Sequence, residues 1–285
     1  MSEVDLHMHS SLSDGRFSPA EIVRKSAEAG LTIMALTDHD NVDGVAPALE
    51  EAGNFPHLKL IPGVEISTDT PYGEVHMLGY FIDVTHPELL AVLQKMRDSR
   101  QERARKMVTR LADLGLAVDW QRVREIAGGG SIGRPHIARA LFEKGHVASI
   151  QEAFTWYLAW GGRAYTEWPK INPSEAIELI LRAGGLPVLA HPLFIREPEH
   201  LLSRLKRSGL TGLEVYYKAS TDEDIRWLTR LADRFDLIAT GGSDFHGLDD
   251  GPETPIGGAD VPLEAAVQLM ALAGERAPEP TNPHQ

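Results

Sequence analysis

From its first residues the chain alternates apolar and polar positions: Val4, Leu6 and Met8 fall on one face, Asp5, His7 and His9 on the other. Period two is the signature of a strand, and here the polar face carries two histidines. Ser18-Pro19-Ala20-Glu21 predicts a helix start, with Ser18 as N-cap, Pro19 in the first turn and Glu21 at the capping-box position; Gly30 predicts its end. Residues 31–36 read as a second strand that runs into Thr37-Asp38-His39-Asp40. A helix over Val45–Ala52 and a strand at Lys59-Leu60-Ile61, leading into Pro62-Gly63-Val64-Glu65, repeat the rhythm. Another strand is expected over 74–81, with His76 near its start. Later, Asn172-Pro173-Ser174-Glu175 caps a helix that ends at Gly184-Gly185, and strands follow at 186–190, 213–216 and 237–240. Strands alternating with helices predict an α/β fold with a mostly parallel sheet, closed or open.

Residues 87–165 interrupt this rhythm. Positions 87–114 form one long arginine-rich helical pattern, and 119–142 and 149–158 also read as helical, with Gly128-Gly129-Gly130 as a flexible turn. This stretch reads as a helical insertion, leaving 1–86 and 166–275 to the main α/β unit and 276–285 as a Pro-rich, flexible tail. Arg97, Arg100, Arg103 and Arg105 read as a solvated helix face with Asp98 and Glu102. Trp156, Tyr157, Trp160 and Tyr165 read as the core of the insertion rather than as a platform for stacking bases.

Composition narrows the chemistry. The 285 residues are 42% hydrophobic and 24% charged, which suits a chain that buries a full-sized core. With no apolar run long enough to span a bilayer and an acidic start at Met1-Ser2-Glu3, neither a membrane segment nor a secretory signal is expected. Cysteine is absent, which excludes disulfides, thiolate metal sites and a cysteine nucleophile, and fits a cytoplasmic protein. The 28 Lys and Arg against 41 Asp and Glu leave a net charge of −13, a poor footprint for duplex nucleic acid. A small phosphate ester or the end of a single strand stays within reach, if bound cations and a few local basic residues supply positive charge.

In parallel α/β barrels functional side chains collect at the carboxyl ends of the strands. Strand ends or polar strand faces here carry His7, His9, His39, Glu65, His76, His191, Asp244 and His246, with Asp14 in the loop after the first strand. One histidine near a strand end is usually an ordinary hydrogen-bonded residue, and His57, His86, His146, His200 and His284 are read that way. Six histidines and three carboxylates at converging positions are a different matter. Imidazole and carboxylate without thiolate suit Mn²⁺, Fe²⁺ or Zn²⁺, and nine such groups exceed the needs of one cation.

Asp5-Leu6-His7-Met8-His9, Thr37-Asp38-His39, Pro62-Gly63-Val64-Glu65, His76, Ala190-His191-Pro192 and Gly242-Ser243-Asp244-Phe245-His246 together resemble the ordered motifs of the PHP (polymerase and histidinol phosphatase) family. Gly133-Arg134-Pro135-His136, and the run from Tyr157 through Gly162, Ala164-Tyr165 and Lys170, resemble its standalone branch of nucleoside 3′,5′-bisphosphate phosphatases and 5′-to-3′ exoribonucleases of the RNase AM type. The resemblance implies a distorted seven-stranded (β/α) barrel and a centre of two or three divalent cations, foremost Mn²⁺, with Fe²⁺, Zn²⁺ or Mg²⁺ as alternatives. It implies His7, His9, Glu65 and Asp244 on a first metal, Glu65, His76 and His191 on a second, and Asp14, His39 and His246 on a third. A hydroxide bridging the first two metals, held through Glu65 and Asp244, is then expected to attack phosphorus.

Arg134 is the leading candidate for a substrate contact, because a guanidinium can bind phosphate oxygens through two parallel hydrogen bonds; His136 and Lys170 are further candidates. The expected substrate is a small nucleotide or short single-stranded RNA rather than duplex DNA or a membrane. Histidinol-phosphate phosphatase is the alternative within the same chemistry, and the Arg134 insertion argues against it. C–N bond hydrolysis of the amidohydrolase kind is disfavoured, since no suitable metal-bridging lysine follows a strand. A non-catalytic, metal-binding regulatory module is the alternative of another class. Missing ligands would mark it, and all nine positions carry competent residues.

Overall fold

The computed structural model describes residues 2–71, 73–128, 130–167, 170–195, 197–217, 220–247 and 254–276. Gly129 and all of the expected tail beyond Arg276 lie outside the described residues. Seven strands are arranged in sequence order: β1 (Val4–Asp5), β2 (Ile33–Leu36), β3 (Lys59–Thr70), β4 (Gly73–Tyr80), β5 (Leu186–Leu189), β6 (Gly212–Tyr217) and β7 (Ile238–Gly242). The first and last meet. Leu6 N–H donates to Gly241 O at 3.2 Å, His9 N–H to Phe245 O at 2.9 Å, and Met8 bridges Phe245 in parallel. The sheet is therefore a barrel, as the resemblance implied. Its parallel order has one exception: β4 runs antiparallel to both neighbours, pairing Ser67 with His76 and Met77 with Leu189. The reversal puts the amino end of β4 beside the carboxyl ends of β3 and β5, so His76, near its start, reaches the functional end.

The expected helix signals are in place. Helix α1 (Pro19–Glu28) opens on a reciprocal Ser18–Glu21 capping box, and Gly30 follows it at φ +83°. Helix α2 is Val45–Ala52. Both pack Ile22, Val23 and Ala48 onto Met34, Leu36 and Leu60 outside β1–β3. The insertion opens with α3 (Pro87–Asp113), capped by His86. Its first half buries Leu89, Leu93 and Met96 against the barrel, while Ala104, Met107 and Leu111 belong to a separate core with Val123, Ile137, Leu141 and Leu158.

The helical pattern over 119–142 resolves into two helices, α4 (Trp120–Ile126) and α5 (Arg134–Glu143), because the glycines break it. Gly130 is a close approach rather than a free turn, since a Cβ there would stand 2.4 Å from the Ser11 carbonyl oxygen. Helix α6 (Ile150–Ala153) runs into a π-helical turn, Phe154–Leu158. That turn sends Trp156 outward, and it and Trp160 are 60% and 52% exposed, so these two do not form the expected core; Tyr157 packs against it. The chain then returns to the barrel with α7 (Pro173–Arg182), α8 (Pro198–Ser208), α9 (Asp222–Arg234) and α10 (Leu263–Arg276). Among the described residues no helix is long and apolar enough to cross a membrane.

Barrel closure depends on one glycine. A Cβ at Gly242 would lie 2.4 Å from His7 Cβ and 2.5 Å from the His7 backbone nitrogen. Such overpacking against backbone costs about 3 kcal/mol. Gly242→Ala is expected to lower the unfolding midpoint by several degrees; an unchanged midpoint would show that β1 and β7 can separate freely.

Candidate metal centre

The two aspartates that flank the histidine motifs act as anchors. Asp5, fully buried, accepts from the backbone N–H groups of Ser243 at 2.9 Å and Gly257 at 2.8 Å, tying the end of β1 to the segment after β7. Asp38 accepts from Ser10 N–H at 2.7 Å and from the Ser10 and Ser13 hydroxyls at 2.6 Å each, and so shapes the loop that presents Asp14. Asp40, His191 and Asp244 sit at positive φ, +50°, +29° and +51°, just past three strand ends. Non-glycine residues held in that region store strain of the kind found at functional sites.

All nine candidate positions come together around Glu65, which is 1% exposed. Its Oε2 lies 3.2 Å from His7 Nε2, 3.2 Å from His9 Nε2 and 3.1 Å from His39 Nδ1. Its Oε1 lies 2.8 Å from His76 Nδ1 and 3.1 Å from His191 Nε2. Asp244 Oδ1 stands 3.1 Å from His9 Nε2 and 3.5 Å from His7 Nε2. Asp14 faces His246 Nε2 at 3.4 Å and His39 Nε2 at 3.8 Å.

Among the described residues, three groups have ligand atoms within 4.8 Å of one another: His7, His9, Glu65 and Asp244; His39, Glu65 and His76; and His9, Asp14, His39 and His246. His9 and His39 each straddle two groups, a sharing the motif assignment did not include. Both ring nitrogens of His9, His39 Nδ1 and Asp14 Oδ1 are buried without a hydrogen-bond partner among the described residues. Donor atoms that converge yet leave one another unsatisfied fit cations placed between them.

The electrostatics agree. Burial alone would raise the Glu65 carboxyl, but the charges of His39, His7 and His76 hold it well below the usual range. Burial alone would depress His9, yet the neighbouring Asp244 and Glu65 carboxylates push it up to about 10; Glu65 and Glu74 do the same to His76, to about 9. At His39 burial wins, and its pKa falls well below the ordinary histidine value. The carboxylates that draw protons to His9 and His76 would draw cations to the same places.

Beside the cluster lies a cavity of about 170 Å³ lined by Asp14, His39, His76 and His246 together with Glu74, Arg100, Arg103 and Arg134. A larger cavity of about 470 Å³ between α3 and α4 touches none of the nine residues, so chemistry rather than size marks the site. Arg134 opens α5, and its Nη2 lies 3.1 Å from Glu74 Oε2, while Lys170 Nζ lies 3.0 Å from the same oxygen. His136 serves the backbone instead. Its Nδ1 accepts from Gly133 N–H at 2.9 Å and fixes the turn that presents Arg134.

Arg100 and Arg103 correct the expected solvated face. They are 8% and 6% exposed; Arg100 pairs with Asp40 at 2.8 Å, and Arg103 donates to Thr166 O at 2.8 Å. Burial, then the neighbouring Arg134 charge, lowers Arg103 to about 10, and burial lowers Lys170 to about 8 despite Glu74. An anion brought beside Arg103 and Lys170 would stabilise their charged forms.

Three further residues stand at the site beside the nine candidate positions. Glu74 shares a face with His76, two positions on along β4, and accepts from its Nε2 at 3.1 Å; the period-two pattern held that signal. Tyr217 donates to Asp244 Oδ2 at 2.8 Å. Glu214 contacts His7 and His191. An irregularity in β6 between Glu214 and Tyr216 shifts the alternation, so Glu214 and Tyr217 both face inward, and no strand pattern announces it.

A barrel whose strand ends gather imidazoles and carboxylates around a buried glutamate defines a class of metal-binding α/β-barrel proteins. Residues 5–167 match the PHP domain model, and the chain belongs to the PHP family. It is 36% identical over 251 residues to a 5′-3′ exoribonuclease of Haemophilus influenzae, covering 85% of this chain and 89% of the relative. It is 34% identical over 256 residues to a 3′,5′-nucleoside bisphosphate phosphatase of Chromobacterium violaceum, covering 88% and 90%. The structure of an amidohydrolase from Chromobacterium violaceum, with sulfate bound and no metal, superposes with a TM-score of 0.84 at 31% identity, over 96% of this chain and 97% of the other.

Proposed function

We propose that the protein is a metal-dependent phosphoesterase that releases a terminal phosphate or nucleotide from a small nucleotide or a short single-stranded RNA. The observation that carries this reading is the junction of two features: a buried His–carboxylate cluster with unsatisfied donor atoms, and a small cavity that several cluster residues line together with Arg100, Arg103 and Arg134. The relatives that hydrolyse RNA ends and nucleoside bisphosphates support it, and so does the sulfate bound in the related barrel, an anion of phosphate's shape.

In this reading His7, His9, Glu65 and Asp244 hold one divalent cation, Glu65, His76 and His191 a second, and Asp14, His39 and His246 a third, with Mn²⁺ the favoured ion. Bound together, such cations lower the pKa of a water and neutralise phosphoryl charge. The chain's own side chains do the rest. Arg134 binds the phosphate oxygens through its planar fork and Lys170 adds a point charge, both turning from Glu74 toward the incoming anion. His136 holds the turn beneath Arg134, and Tyr217 fixes the Asp244 carboxylate through its hydroxyl. A cavity of about 170 Å³ takes a phosphate and part of its sugar, which favours a strand end over a duplex.

Hydrolysis of adenosine 3′,5′-bisphosphate, AMP, histidinol phosphate and a short 5′-phosphorylated RNA by the Mn²⁺-supplied protein tests the reading. The bisphosphate or the RNA is expected to turn over well above histidinol phosphate. Preference for histidinol phosphate would overturn the substrate, and no turnover at full metal content would overturn the phosphoesterase reading.

A further inference from the structure

Glu214 lies near the middle of β6, its side chain fully buried, with each carboxylate oxygen taken by a different strand's residue. Oε1 is 2.8 Å from His7 Nδ1, and Oε2 accepts from the His191 backbone N–H at 2.7 Å. It belongs to none of the three groups of converging donor atoms. A carboxylate sealed from water is costly unless its contacts are specific and strong. These two contacts point to what it does.

Resting on the metal-centre reading above, we propose that Glu214 is the positioning residue of the centre, setting the tautomer of His7 and the aim of His191 with one side chain. A carboxylate only accepts, so His7 presents its proton at Nδ1 and leaves the Nε2 lone pair directed at Glu65 Oε2, 3.2 Å away, and Asp244 Oδ1, 3.5 Å away. A lone pair aimed at two carboxylate oxygens is repulsive until a cation lies between them. His191 sits just past β5 at φ +29° and ψ +60°, a backbone state that needs a restraint. The bond from its N–H to Glu214 supplies one, and the ring then reaches Glu65 Oε1 at 3.1 Å.

The two imidazoles, anchored by the same carboxylate, lie 6.0 Å apart and within 21° of parallel. The irregularity in β6 adds Tyr217 on the same inward face, bonded to Asp244. Strand β6 thus gives no ligand to the centre but orients three, and Glu214 links the first metal position, through His7, to the second, through His191.

Glu214→Gln keeps the shape but offers one acceptor oxygen for two donors, so one of the two bonds is lost. In the full-length protein its Mn²⁺ affinity, from titration with metal analysis, is expected to fall about 10- to 100-fold, the usual effect of losing an outer partner of a metal-bound histidine. Saturating Mn²⁺ should restore stoichiometry, and the unfolding midpoint of the metal-free variant should stay within a few degrees of the parent. Long-range ¹H–¹⁵N spectra of the Zn²⁺-loaded parent, with His7 assigned by the loss of its signals in His7→Asn, are expected to show the proton on Nδ1. That measurement decides the matter even if the variant fails to fold.

Wild-type Mn²⁺ affinity in Glu214→Gln, a lowered midpoint with unchanged affinity, or a proton on Nε2 would each overturn the proposal while leaving the metal centre standing. A parent protein that takes up no metal would overturn the metal-centre reading, and this one with it.

Discussion

Replacing His9 with alanine is expected to abolish phosphoester hydrolysis and leave the barrel folded. His9, like His39, is shared between two of the three donor groups: its Nε2 is 3.2 Å from Glu65 and 3.1 Å from Asp244, and its Nδ1 is 3.9 Å from Asp14. Losing an outer partner of a metal ligand costs 10- to 100-fold, so losing a ligand that serves two positions should cost about a thousandfold or more. The fold has little stake in this ring. The cores that hold the helices to the barrel are built from residues such as Val64, Ile66, Leu189 and Leu213 on one side and Met34, Leu36 and Leu60 on another. Turnover, bound metal per chain and far-ultraviolet circular dichroism, measured together on His9→Ala, separate the outcomes. Lost turnover with reduced metal and an unchanged spectrum is the expected result. Near-parental turnover would remove His9 from the centre.

How such a site can be read from a linear chain depends on which physical signals are local. The segment with His7 and His9 announces itself because period two is written in six consecutive residues, although only Val4–Asp5 pair as β1 and Met8 adds an isolated bridge; the capping boxes at Ser18–Glu21 and Asn172–Glu175 do so because each spans one helical turn. The convergence on Glu65 was legible because most contributors sit beyond a strand's carboxyl end, where barrel geometry gathers them, while Glu65 and His76 lie within β3 and β4. The reversed direction of β4 is invisible locally, since alternation reads alike in both directions. The irregularity in β6 hides Tyr217 by shifting the parity of the strand at one residue.

Arg100 and Arg103 show a different limit. Along α3 they look like members of a charged, solvated stripe, but the insertion folds over that stripe. Their partners, Asp40 and the Thr166 carbonyl, are distant in sequence. Long-range burial turns an ordinary surface pattern into part of a cavity wall, and no periodicity reports it.

That wall sets the second large effect. Arg134→Ala is expected to lower kcat/KM about 30- to 4000-fold, because truncating one partner of a charge pair largely removed from water costs about 2–5 kcal/mol and each 1.4 kcal/mol is a factor of ten. Two causes could produce that loss. Arg134 binds the phosphate, or it only neutralises Glu74, whose Oε2 it shares with Lys170 at 3.1 and 3.0 Å. The carboxylate is held well below its usual pKa, burial being outweighed by the Arg134 charge and the His76 hydrogen bond, so it stays negative at neutral pH beside an incoming phosphate.

Glu74→Gln in the Arg134→Ala background tells the causes apart. If Arg134 binds phosphate, removing the Glu74 charge leaves kcat/KM low, and Arg134→Lys recovers only part of the activity, since an ammonium lacks the two-pronged geometry. If the double variant regains parental kcat/KM, Arg134 is a charge balance for Glu74, and the phosphate contact passes to Lys170 and the neighbouring wall.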